Sequence, residues 1–279
     1  MLFPIFYGFI APDTASAKSL GAMKAALGLS TKLEAQLSVA IGALQISVLN
    51  MLSAPNVEAL VSEENKRSAD SAVAARERIV DIARNSGVTV HTEILKSDFS
   101  RIKGRLANRA RVHGLVFAEA GISGELLGGA LIESLLFESG RPVIIVPNGI
   151  SSEISLDHVL IAWDGSISAA RAVWDSIPLL RMANSIEIVT VIGEKELTDV
   201  PAANTLAPML SYLGKKISVT VLTYDGSTAG GLIKQRATRV GAGLIVQGAY
   251  GRSRWSEIIL GGVTREMLLD STLPVLMSH

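Results

Sequence analysis

Two regimes of apolar patterning alternate along this chain: short apolar runs, and longer stretches with an apolar residue every three or four positions. The short runs lie at 5–11, 37–41, 88–95, 114–117 and 142–146, then at 157–163, 186–192, 217–222, 244–246 and 273–277. They are rich in β-branched residues and bounded by Gly, Pro, Asn or Asp, as strands buried on both faces are. Helical spacing marks 15–33, where Leu20, Met23, Ala26 and Leu27 share a face, and 63–83, 100–112, 127–137, 169–182 and 229–240. After Gly262, Val263, Met267 and Leu268 again fall at helical spacing. Strand and helix thus alternate five times in each half, which predicts open parallel sheets with helices on both faces and right-handed crossovers.

The second half repeats the first. Ala11-x-Asp13 matches Ala162-x-Asp164, Gly114-Leu-Val matches Gly243-Leu-Ile, and Pro142-Val matches Pro274-Val. Pro147-Asn-Gly149 reads as the break between domains at 1–150 and 151–279. With 279 residues, each half is long enough to bury its own core.

Charge and composition narrow the function classes. The 26 basic and 26 acidic side chains cancel, which advertises neither a nucleic acid nor a membrane surface as partner. The basic run at 100–112 lacks interleaved aromatic residues and reads as an exposed helix face. The absence of cysteine excludes disulfides, thiolate metal sites and a Cys nucleophile, and it fits a cytoplasmic protein. The apolar N-terminus has no basic flank and is interrupted by Pro4 and Gly8, so it reads as a strand. Residues 35–57 carry no charge, but six Gln, Ser and Asn residues spread through them favour a buried strand and surface loop over a membrane span.

The candidate chemistry lies near the end. Gly248-x2-Gly251 follows a strand, and after nine residues Gly261-Gly262-Val263-Thr264 opens a helix. Glycine there lets a ligand approach bare backbone, and the first N–H groups of the helix favour an anion such as phosphate. The alternative, weighed below phosphate binding, is that the same glycines serve only as tight strand-to-helix turns.

This G-x2-G-x9-G pattern closely resembles the nucleotide-binding motif of the universal stress protein family, with Val263-Thr264 matching the residues after its last glycine. One position departs: the family usually has Ser or Thr where Gly262 stands. The resemblance implies two Rossmann-like domains, each an open five-stranded parallel sheet of order 3-2-1-4-5. It also implies ATP or another adenine nucleotide, with or without Mg²⁺, in the C-terminal domain. By the same resemblance Asp164, with Ala162 and Trp163 beside it, would accept a hydrogen bond from the adenine or ribose. Val191 would pack against the base, and the Gly248–Thr264 stretch would hold phosphates.

Read from its own surroundings, Asp164 also suits an Asp-Gly turn that caps the next helix, and the two roles are compatible. Arg252 and Arg254 could screen phosphates or lie solvated, and Trp255 reads as an anchor under the loop. In the first half, Glu119 and Ile122 stand at the positions of Gly248 and Gly251, and Leu131 at that of Thr264. That half therefore keeps the fold and has lost the phosphate loop.

Enzyme signatures are thin. No G-x-S-x-G, Walker A, GxGxxG or HExxH motif occurs, and His91, His113, His158 and His279 lack ligand spacing. The sequence supports a nucleotide-binding protein of stress response or signalling. The alternatives are a nucleotide-independent interaction protein, with Gly262 marking a lost site, and a slow ATPase. Association through the apolar last strand would give either a homodimer or an internal pseudo-dimer, and the protein partner is unknown.

Overall fold

The computed structural model describes residues 5–10, 20–47, 55–120, 125–147, 149, 153–193, 202–249, 263–264, 266–267 and 271–279. Contacts divide the chain into two compact units, one gathering Phe3–Ser139 and Asn148–Glu153, the other Gly140–Pro147 and Ile154–His279.

The first unit holds β1 (Ile5–Ile10), α1 (Gly21–Leu33), β2 (Gln36–Leu44), α2 (Pro55–Ser86), β3 (Val90–Ser97), α3 (Phe99–Ala110), β4 (Leu115–Glu119) and α4 (Glu125–Glu138). Its strands stand in the order β3-β2-β1-β4, all parallel. Phe6, Leu37, Ile41 and Phe117 are fully buried, as expected of parallel strands covered on both faces.

Helix α2 begins about two turns before the stretch that its pattern marked. Val61 is the one buried apolar side chain among residues 57–62, so the stripe that would announce a helix is missing there. Farther along the helix a tertiary contact ties it to the chain just after β2. The Asn65 amide closes on the Ile46 backbone from both sides, accepting from its N–H at 2.7 Å and donating to its carbonyl at 3.0 Å. In α3, Ile102, Leu106, Ala107 and Ala110 are buried while Arg101, Arg105 and Arg109 lie outward. Arg109 pairs with Glu93 and Arg105 donates to the Lys96 carbonyl, so part of the basic run ties its own helix to β3.

The second unit holds β5 (Val143–Val146), β6 (His158–Ala162), α5 (Ile167–Asp175), α6 (Ile177–Leu180), β7 (Ser185–Ile192), α7 (Ala203–Leu210), β8 (Lys216–Thr223), α8 (Ala229–Val240), β9 (Leu244–Gly248) and β10 (Val275–Ser278). Residues 263–264 and 266–267 are helical. The sheet order is β5-β10-β9-β6-β7-β8. Strands β6 to β10 reproduce the expected 3-2-1-4-5 arrangement in parallel, and β10 also pairs antiparallel with β5, Val275 against Ile145 and Met277 against Val143. The last strand is therefore flanked on both sides, which the apolar run at 273–277 anticipated.

Helix α7 was not legible in the sequence because Pro208 sits inside it, where a ring without an N–H normally interrupts a helix. Burial of Ala203, Leu206 and Leu210 on one face outweighs that penalty. Among the described residues no helix is long and apolar enough to cross a membrane, and 36–44 of the uncharged stretch are strand β2.

Candidate functional site

In the second unit β6 is flanked by β7 on one side and β9 on the other, so the strand order reverses at the β6–β9 seam, and in open parallel sheets ligands sit beyond the carboxyl ends of the strands at such a point. Trp163 pins the end of β6. Its side chain is buried, its N–H donates to the Val189 carbonyl at 2.8 Å, and its carbonyl accepts from Thr190 Oγ1 at 2.9 Å. Beyond it the chain turns at Gly165, whose φ of +72° is a left-handed conformation that glycine adopts freely. Asp164 is exposed, and its Oδ1 accepts from the Ser166 N–H at 3.0 Å. Ser166 Oγ in turn accepts from the Ala169 N–H at 3.1 Å and caps α5. The turn read for Asp164 is thus present while the cap of α5 falls to Ser166, and one carboxylate oxygen engaged in the turn leaves acceptor capacity for a ligand.

Gly248 closes this end of the sheet against the same turn. A Cβ there would stand 2.5 Å from the Ala169 nitrogen and 2.6 Å from the Ser168 carbonyl carbon and Oγ. The bare backbone that the motif suggested for a ligand is occupied on this face by the first turn of α5. Asp164, Ser166, Ser168 and Gly248 therefore form one packed corner.

Ala162 and Val191 are half-buried, and both lie on the opposite face of the sheet. Thr264 is buried and Val263 half-buried at the start of the C-terminal helical residues. Two residues on, Glu266 accepts from Thr228 Oγ1 at 2.6 Å and pairs with Lys234 at 2.9 Å, so it clamps those residues to the start of α8. Burial pushes its carboxyl up, but the hydrogen bonds from Thr228 and Lys234 outweigh that and hold it below the usual range. Gly251, Arg252, Arg254, Trp255, Gly261 and Gly262 lie outside the described residues.

Two features escaped the sequence reading. One is Gln247, the residue before Gly248, which is 4% exposed and has no hydrogen-bond partner for either amide atom. The other is Glu187, 2% exposed in the middle of β7. Its Oε1 accepts from Arg236 Nη2 at 2.7 Å, from Arg236 Nε at 3.0 Å and from Thr220 Oγ1. With His158, Ser185 and Lys216 at the amino ends of their strands, this group lines a cavity of about 300 Å³. Glu187 and Arg236 alone are 49 positions apart, a separation that no local spacing could signal.

In the first unit, Glu119 ends β4 as a buried carboxylate where Gly248 ends β9, and Leu131 is fully buried at the position matched to Thr264. A buried carboxylate and a leucine are a poor start for a phosphate cradle. Ile122 lies outside the described residues.

No family model matches the sequence. A universal stress protein of Synechocystis sp. is 23% identical over 150 residues, covering 53% of this chain and 50% of that protein, so the match spans about half the length of this relative. The solved structure of a universal stress protein from Archaeoglobus fulgidus covers 98% of this chain and 97% of its own at 18% identity, with a TM-score of 0.72. A universal stress protein solved in complex with cAMP covers 52% of this chain and 98% of its own at 20% identity. Its TM-score of 0.37 is too low to compare sites. The resemblance read from the motif thus extends, as fold, over the whole chain.

Proposed function

We propose that this chain, which has the fold of a universal stress protein from end to end, binds an adenine nucleotide in its C-terminal half and serves stress response or signalling. The observation that carries the reading is the placement of Asp164, just past β6, beside Gly248 at the end of the adjacent β9, at the seam where the strand order reverses. The G-x2-G-x9-G motif starts at that seam. Asp164 and Ala162–Trp163 would hold the sugar or base, Val191 would pack on the base, and Gly251, Arg252, Gly261, Gly262, Val263 and Thr264 would take the phosphates, with or without Mg²⁺. The first half, residues 1–150, would then be a degenerate partner domain, its Glu119 repelling the anion that the second half attracts. Among the described residues no group at this seam is a general base aimed at an attacking water, and binding, or hydrolysis too slow to be the main role, is the reading preferred to turnover.

Nucleotide released from denatured fresh protein, identified by mass spectrometry, together with calorimetric titration with Mg·ATP, tests this. The expected result is micromolar-class affinity, weakened about tenfold in Asp164→Ala by loss of one charge-assisted hydrogen bond. Gly248→Val is unsuitable as a site variant because it would break the corner with α5. Absence of binding up to millimolar ATP would overturn the reading in favour of a nucleotide-independent interaction protein.

A further inference from the structure

The structure assigns Gln247 a task that its own fold leaves open. We propose that its amide reads the ribose hydroxyls of the nucleotide, an inference that rests on the binding reading above. Strand alternation puts the Gln247 side chain on the sheet face opposite Gly248 and α5, the face shared by Ala162 on β6 and by Val189 and Val191 on β7. Ile161 pairs with Val246, so Ala162 and Gln247 stand side by side one residue on, at the carboxyl end of both strands. The side chain is 4% exposed, and among the described residues neither Nε2 nor Oε1 has a hydrogen-bond partner. A buried amide left unpaired destabilises the free protein, whereas a methionine of similar shape would not. The amide of Gln247 is therefore a liability in the free chain that a ligand would remove.

The chemistry of that ligand atom follows from the amide. Gln247 offers a donor and an acceptor side by side, and a phosphate, which only accepts, would leave Oε1 unpaired. A hydroxyl both donates and accepts. Position gives the same answer. Neighbouring strands lie about 4.8 Å apart, so with a base over Val191 on β7 and phosphates beyond β9, the sugar falls on the β6–β9 seam. Gln247 and Ala162 are the residues of that seam on this face.

The test titrates the full-length wild type and Gln247→Met with ATP and with 2′,3′-dideoxy-ATP, and melts both ligand-free proteins. The wild type is expected to prefer ATP at least about tenfold, since a buried polar group that pairs with a hydroxyl rejects the analogue lacking it. Gln247→Met should bind ATP more weakly and dideoxy-ATP about as the wild type does, so that its preference for ATP shrinks severalfold, and it should melt higher than wild type without ligand. A wild type that binds ATP and dideoxy-ATP equally overturns the ribose assignment without any variant. Undiminished preference in Gln247→Met, or a ligand-free variant that melts lower, overturns the role of Gln247 while leaving nucleotide binding intact. A wild type that binds neither nucleotide overturns the binding reading itself and this inference with it.

Discussion

Replacing Arg236 by methionine should unmask how much of the C-terminal unit depends on one buried ion pair. Glu187 is 2% exposed, and both Arg236 bonds fall on its Oε1. Removing one partner of such a pair strands a charge out of water, at a typical cost of about 3–5 kcal/mol. Arg236 is itself 27% exposed and Thr220 still donates, so the lower end, about 3 kcal/mol at neutral pH, is expected. The loss should also depend on pH. Burial pushes the Glu187 carboxyl up, but hydrogen bonds from Arg236 and Thr220 and the guanidinium charge outweigh it and hold it below its usual range. A carboxylate depressed in this way stabilises fully above its ordinary pKa and loses that contribution as pH falls through the native value. Without Arg236 only Thr220 and His158 still oppose the burial, so the variant is worst near pH 7, where the unfolded state holds Glu187 charged. It approaches wild type as acid protonates the group in both states. Urea unfolding of both proteins at pH 7 and at about pH 4 measures the difference, using the ordinary glutamate value near 4.3 as the divide. A loss below about 1 kcal/mol at pH 7, the range of exposed pairs, would refute the reasoning, as would an equal loss at both pH values. Arg236→Met with Glu187→Leu should recover most of the stability, because the stranded charge goes with its partner.

Gly248→Ala should cost about 2–3 kcal/mol by forcing a methyl into the backbone of α5, whatever its effect on nucleotide. Chemical denaturation of the ligand-free protein checks this, and an unchanged midpoint would mean that β9 and α5 can part without strain. Tyr7 in the first unit is 2% exposed, its hydroxyl has no hydrogen-bond partner, and burial pushes its phenol far up, so it stays neutral. Tyr7→Phe keeps the ring against His113 and should be neutral or stabilise by up to about 1 kcal/mol. A clear loss of stability in thermal unfolding would show that the hydroxyl is bonded.

The sequence by itself determined the strands, their order of appearance, the repeat and the motif. These are written in patterns spanning a few residues: β-branched runs for β6, β7 and β9, helical spacing for α1 and α8, and glycines at fixed intervals. It also gave both roles open to Asp164, of which the turn is present in the fold. Tertiary structure decided what depends on partners distant in the chain. Helix α7 forms around Pro208 because one face of it is buried, and Asn65 ties α2 to the Ile46 backbone. Gly248 is packed against Ser168 and Ala169, some 80 positions away, a packing role that its place in the motif did not reveal. Glu187 reads as an ordinary strand acid until β8 and α8 bring Thr220 and Arg236 onto it. Gln247 looked like the polar end of a strand, and only its burial without a partner marks it. Burial and pairing are properties of distances between side chains, and a linear pattern does not carry them.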